Sequence, residues 1–225
     1  MKSRLIILLA ATLAFALSAW AQAKPEEKDP ALKMSQVPQK VQQAIQQYAT
    51  AAEIQQITKG DVDGKAVYEF AIEKNGRKSE VAITPDGKLL TTEEEMPLQE
   101  IPEAARKSIS AQAAGGKIVS TEKVFENGKT AYGAVIEKNG KQSEYSFAAD
   151  GKIASSEEDI NLADIPEAAR KVISSKAAGG KIISTKKVFE DGKTVFAAII
   201  EKGGKQTEIS VAPDGKIVAT EKIEK

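Results

Sequence analysis

The sequence predicts an α+β fold of three tandem modules, each one helix packed on a four-stranded antiparallel β-meander. Three observations carry this expectation. One block recurs three times at a fixed period of 64 residues without insertions, headed by Val37-Pro38, Ile101-Pro102 and Ile165-Pro166 and closed by Asp86-Gly87-Lys88, Asp150-Gly151-Lys152 and Asp214-Gly215-Lys216. About 39 of 61 aligned positions are identical between the second and third blocks, while the first has diverged further. Inside each block a helical apolar period gives way to strand-like alternation, cut by Asn-Gly and Asp-Gly dipeptides.

The chain opens as a secretory signal over residues 1–23. Lys2 and Arg4 precede the apolar run Leu5 to Leu17, and Ala21-Gln22-Ala23 supplies a small-x-small cleavage pattern, with Ala19-Trp20-Ala21 as a second cut. The alternative, an uncleaved anchor, has only the stretch from Leu5 to Ala21, which barely reaches spanning length. Residues 24–36 read as a charged, proline-bearing flexible leader. The modules are placed at 37–98, 99–162 and 163–225.

Each module begins with a helix. Pro166 stands where a missing N–H costs nothing, Glu167 faces the positive end of the helix dipole, and Ala169, Val172, Ile173 and Ala177 form an apolar face. Gly179-Gly180 ends it, as Gly115-Gly116 ends the second helix; Val41, Ala44, Ile45 and Tyr48 form the same face in the first. Four strands follow, separated by Asp63-Gly64, Asn75-Gly76 and Asp86-Gly87 in the first block. Asn127-Gly128, Asn139-Gly140 and Asp150-Gly151 separate those of the second, and Asp191-Gly192, Gly203-Gly204 and Asp214-Gly215 those of the third. Such dipeptides accept the positive φ of tight hairpins.

Alternation assigns the faces. Tyr68, Phe70 and Ile72, then Tyr132, Ala134 and Ile136, then Phe196, Ala198 and Ile200 lie on one side of each module's second strand. Val81 with Ile83, Tyr145 with Phe147, and Ile209 with Val211 continue that layer, which should pack under the helix.

The run Ile-Pro-Glu-Ala-Ala-Arg-Lys, Gly-Gly-Lys-Ile, Glu-Asp-Gly-Lys, an aromatic-led strand, Glu-Lys-Gly-Gly-Lys and Ala-Pro-Asp-Gly-Lys-Ile resembles the PepSY-like family of exported bacterial modules, the group likened to β-lactamase-inhibitor proteins. The resemblance covers nearly all of residues 37–225, once per block. It implies a helix packed on an antiparallel sheet and used for non-catalytic binding. For the inhibitor proteins it implies a concave sheet surface, shared by tandem modules, that grips an enzyme. This chain departs from the inhibitors in its three blocks, its lack of cysteine and its lack of tryptophan beyond Trp20.

Composition narrows the chemistry. Removal of residues 1–23 leaves 30 basic against 32 acidic residues, a net charge of about −2 that offers no footprint for nucleic acid or anionic membrane. No histidine and no cysteine are present, so His-based triads, thiol chemistry and disulfide stapling are excluded. A Ser–Lys pair lacks any strained nucleophile turn. Glu80, Glu144 and Glu208 recur at one strand position and should point from the helix side into solvent, as solubilising or cross-strand charge partners rather than hydrolytic carboxylates. Glu93-Glu94-Glu95 and Glu157-Glu158-Asp159 read as solvated linkers past the last strands rather than calcium ligands. Asp61-Val62-Asp63-Gly64 matches the opening of an EF-hand loop, but its glycine comes too early and it reads as a turn. Gly116-Lys117 and Gly180-Lys181 lack the Ser or Thr and the following helix of a phosphate loop.

The second face of the second strands holds the candidate partner-binding residues. Val67 and Ala71, then Ala131, Gly133 and Val135, then Val195, Ala197 and Ile199 are small or apolar where a solvated sheet should be polar. Something should cover them: a neighbouring block, or a partner.

The expectation is an exported, non-enzymatic binding protein, periplasmic or extracellular, with no cofactor, metal or catalytic residue, and with a protein or peptide as partner and possible inhibition of an enzyme. No nucleic acid is expected, and no stable membrane insertion after signal cleavage. The alternative is a structural or self-associating envelope spacer.

Overall fold

The structure, a computed structural model, describes residues 31–62, 65–126 and 128–223. The signal, the leader up to residue 30, the Asp63-Gly64 turn and Asn127 lie outside the described residues. Among the described residues the α-helices are α1 (Gln39–Ile45), α2 (Glu103–Gln112) and α3 (Glu167–Ala177). The strands are β1 (Ile54–Val62), β2 (Lys65–Lys74), β3 (Arg77–Ile83), β4 (Leu89–Glu95), β5 (Lys117–Glu126), β6 (Lys129–Lys138), β7 (Lys141–Phe147), β8 (Ile153–Asp159), β9 (Lys181–Glu190), β10 (Lys193–Lys202), β11 (Lys205–Val211) and β12 (Ile217–Ile223).

These strands do not form three separate meanders. They make one twelve-stranded antiparallel sheet in which every strand pairs with its neighbour in sequence. This overturns the three-module fold class. The decisive contacts are β4 with β5, from Thr91↔Glu126 to Glu95↔Glu122, and β8 with β9, from Ser155↔Glu190 to Asp159↔Lys186. The physical reason is edge strands: in isolated modules β4 and β8 would each leave a row of N–H and C=O groups unpaired. The crossovers continue the ladder. Met96 N–H donates to Thr121 O (3.0 Å) and Thr121 Oγ1 returns a bond to Met96 O (2.6 Å); Ile160 and Thr185 repeat the exchange.

All three helices pack on one face of this sheet. Val41 and Ile45 meet Phe70, Ile72, Val81 and Ile83; Ala105 and Ile109 meet Ala134, Ile136, Tyr145 and Phe147; Ala169 and Ile173 meet Phe196, Ile200, Ile209 and Val211. These are the residues that alternation assigned to the helix side. The segment just before α1 is also seated: Leu32 and Met34 pack on the first cluster, and Leu32 N–H donates to Ile57 O (2.8 Å).

The hairpins use two turn chemistries. Asn75-Gly76, Asn139-Gly140 and Asp191-Gly192 have positive φ at both residues, the demand of a two-residue hairpin. The Asp-Gly-Lys turns differ: only the glycine is left-handed, and Gly151 N–H closes on Ala148 O (2.9 Å). A Cβ at Gly151 would stand 2.7 Å from Ala104 O, so that turn also seats the start of α2.

Each group of strands carries register shifts, at Ile54/Gln56, Ile118/Ser120 and Ile199/Ile200, and again at Ala82/Ile83, Ser146/Phe147 and Ser210/Val211. Bulges bend a sheet and increase its twist.

Continuity of the sheet predicts protection from hydrogen exchange at consecutive amides along Thr91–Glu95. An edge strand would protect only alternate amides, and NMR-detected exchange separates the two.

Candidate functional site on the helix-free face

The face opposite the helices holds every candidate partner-binding residue, and most are covered. Val67 and Val135 are 0% exposed, Val195 and Ala197 are buried, and so is Gly133; Ala71, Ala131 and Ile199 are half-buried. Ala131 and Gly133 line a groove of ≈ 460 Å³ that runs from Val124 on β5 to Val188 and Glu190 on β9. Glu144 and Glu157, on β7 and β8 of the five strands it crosses, line it, and Ala154 borders it. Ala71 borders a smaller cleft of ≈ 110 Å³ with Gln55, Ser79 and Glu80.

Between the apolar residues runs a line of carboxylates. Glu80 lies directly opposite Glu93, Glu144 opposite Glu157, and Glu208 opposite Glu221. Like charges in directly opposed positions destabilise a sheet, so each pair needs a counter-charge or a proton. Glu80, Glu144 and Glu208 do point away from the helices, but they are half-buried rather than free in solvent. The acidic triplets read as linkers are instead the ends of β4 and β8.

Glu93, read from the sequence as part of a solvated linker, and Glu122, which sequence reasoning missed, are both buried. They are 3% and 4% exposed, and Glu93 Oε2 and Glu122 Oε1 have no hydrogen-bond partner. Register places them diagonally across the β4–β5 pair, Glu93 opposite Val124 and Glu122 opposite both Glu95 and Gly133. Gly133 makes the room, since a Cβ there would fall 2.7 Å from Glu122 Oε1. The signal was available: the alternation that placed Ala131 and Gly133 on this face places their β5 partners Val124 and Glu122 there too.

Burial is the main cause that pushes Glu93 up to about 9, followed by the charges of Glu122, Glu80, Glu126 and Glu69. Burial, then Glu144, Glu80 and Glu95, push Glu122 up to about 8. Every charge that shifts these two is another carboxylate. Glu144 reaches about 7 through burial and Glu157, with Lys186 opposing and Asp159 adding to the rise. Glu80 and Glu208 are also raised, chiefly by burial.

The β8–β9 border resolves the same problem differently. Lys186 Nζ forms an ion pair with Glu157. Burial alone would lower Lys186, but its bond and attraction to Glu157 prevail and its ammonium titrates above the ordinary value. Lys186 stands 64 residues after Glu122, and Glu157 stands 64 after Glu93. The two borders thus carry opposite charges at one position of the sheet.

Among the described residues no group of three or more His, Cys, Asp or Glu side chains is arranged to hold a metal ion. Among them, too, no helix is long and apolar enough to cross a membrane.

No family model and no curated protein matches this chain. Solved structures that resemble part of this chain include three from Bacteroides. A DUF2874 family protein from Bacteroides uniformis is 13% identical, with a TM-score of 0.43, and covers 54% of this chain and 88% of its own. A BLIP-like protein from Bacteroides fragilis is 16% identical at TM-score 0.42, with 55% and 86% covered. A DUF2874 family protein from Bacteroides ovatus is 13% identical at TM-score 0.42, with 54% and 86% covered.

The carboxylates set a pH dependence with a definite sign. Protons held by folded Glu93 and Glu122 are released by the unfolded chain near 4.5, so the folded state binds more protons between those values. Stability is therefore fully present below about pH 4.5 and declines as pH rises through 8 to 9. The melting temperature should fall from pH 5 to pH 9, at about 2–4 °C per kcal/mol for a chain of this size. The double variant Glu93→Gln/Glu122→Gln should flatten that decline, as followed by circular dichroism.

Proposed function

We propose that the chain is an exported, non-enzymatic binding protein of PepSY-like, β-lactamase-inhibitor-like character, whose helix-free sheet face takes a protein or peptide partner. The observation that supports this reading most is the groove itself: it crosses five neighbouring strands, with the small or apolar Val124, Ala131, Gly133 and Val188 on its flanking strands and Glu144 and Glu157 on the two strands between them. Apolar linings with a few placed charges suit binding. Export rests on the cleavable signal in residues 1–23.

Glu144, raised by burial, stands directly opposite Glu157, and two neighbouring carboxyl groups are what two-carboxylate hydrolysis requires. The same opposed pair recurs as Glu80 with Glu93 and as Glu208 with Glu221, neither of which lines that groove. Recurrence outside the groove supports reading the pairing as a feature of the sheet rather than as a reaction centre.

Two measurements check the proposal. Expressed with its own N-terminus in a Gram-negative host, the protein should be recovered outside the cytoplasm beginning at Lys24. The exposed groove residue Ala154, replaced in the variant Ala154→Trp, should retain the wild-type circular dichroism and lose the partners that wild type cross-links in its native envelope fraction. An unchanged cross-linking pattern would remove the groove from the binding surface.

A further inference from the structure

Position 122 and position 186 occupy equivalent places at the two internal borders of the sheet, yet one is a glutamate and the other a lysine. At β8–β9 the chain supplies its own ammonium: Lys186 Nζ sits on Glu157. At β4–β5 the partner of that arrangement, Glu93, meets Glu122 instead, and one oxygen of each carboxylate is left without a hydrogen bond although both residues are almost completely buried. A buried polar atom in this condition is costly. The acceptors are arranged as at the other border, and the donor is missing.

The groove ends against this spot, though neither Glu93 nor Glu122 itself lines it. Val124, opposite Glu93, and Gly133, opposite Glu122, both line it, as does Ala131. An aliphatic stem lying on these small apolar residues would bring a terminal cation towards the two carboxylates. A bare hard cation fits less well, because no set of three acidic ligands converges among the described residues. Glu80, Glu69 and Glu126 face Glu93 from β3, β2 and β5; Glu144, Glu80 and Glu95 face Glu122 from β7, β3 and β4. All of them add to the attraction for a positive group.

We infer that the Glu93–Glu122 pair is a binding site for a primary ammonium group on an aliphatic stem, entering along the groove to take the place that Lys186 Nζ fills at the next border. The inference deepens the binding role proposed above and rests on it. The ammonium can come from a free diamine or from a lysine side chain of a polypeptide partner.

Calorimetric titration of the full-length exported protein at low salt distinguishes the sources, with 1,5-diaminopentane as one probe and an end-capped tetralysine peptide as the other. Saturable binding of both assigns a general ammonium site, and binding of the peptide alone assigns a lysine side chain. Binding should release protons, visible as a heat that depends on the ionisation enthalpy of the buffer, because the carboxyls it meets are held neutral. Glu93→Gln/Glu122→Gln should weaken binding by about tenfold or more. Glu122→Lys should fill the site from within, abolish binding and raise the melting temperature at pH 8. Absence of saturable binding by either probe would overturn the inference. So would equal binding by wild type and variants, or displacement of the probes by calcium ions at equal concentration. If the probes fail while Ala154→Trp still loses its cross-linked partners, only the ammonium site falls; if Ala154→Trp keeps them, the groove reading falls with it.

Discussion

Backbone pairing of β4 with β5 and of β8 with β9 is the constraint on which the rest of the molecule depends. Each ladder satisfies a row of polar groups that would otherwise border solvent or another chain. It also fixes what lies side by side on the helix-free face. Glu80 and Glu93 come from one sequence block, Glu122 and Glu144 from the next, and they influence one another only because the sheet runs on without a break. A separate module could not contain this cluster. The three helix-side cores, by contrast, each draw on one helix and the strands that follow it.

The two borders show one electrostatic problem with two solutions. Stacking a carboxylate opposite another carboxylate under partial burial demands a proton or a cation. Lys186 supplies the cation at one border, within reach of Glu157 and near Glu144 and Asp159. The other border has Glu122 at the same place, so Glu93 and Glu122 retain their protons into the neutral range. Such unpaired buried groups lower stability, and a sheet that keeps them beside an open groove has chemistry to offer a positively charged visitor.

Much of the fold was legible in the sequence because its determinants are local. Proline before each helix, glycine after α2 and α3, and positive-φ residues in the hairpins fix the elements within a few residues of where they act. Alternation assigned Phe70, Phe147 and Ile209 to the helix side correctly, since the side-chain period of a strand is fixed by its pleat. Which edges meet was not legible, because pairing across β4–β5 depends on a ladder between segments separated by a whole helix. The acidic triplets misled for a related reason: Glu93-Glu94-Glu95 shows no apolar alternation, yet pairing on both sides holds it in a strand and buries Glu93. The apolar second face was legible as a set of residues; the groove that crosses five neighbouring strands on it, which depends on pairing between blocks, was not.

The absence of cysteine from the chain permits a direct test of the single sheet. Glu94 and Lys123 are cross-strand partners on β4 and β5, so the double variant Glu94→Cys/Lys123→Cys should form an intramolecular disulfide under mild oxidation, identified by peptide mapping. The offset pair Glu94→Cys/Phe125→Cys serves as the register control and should link poorly. A folded protein in which both thiols of the first variant stay free would contradict the continuous sheet and the carboxylate cluster that it assembles.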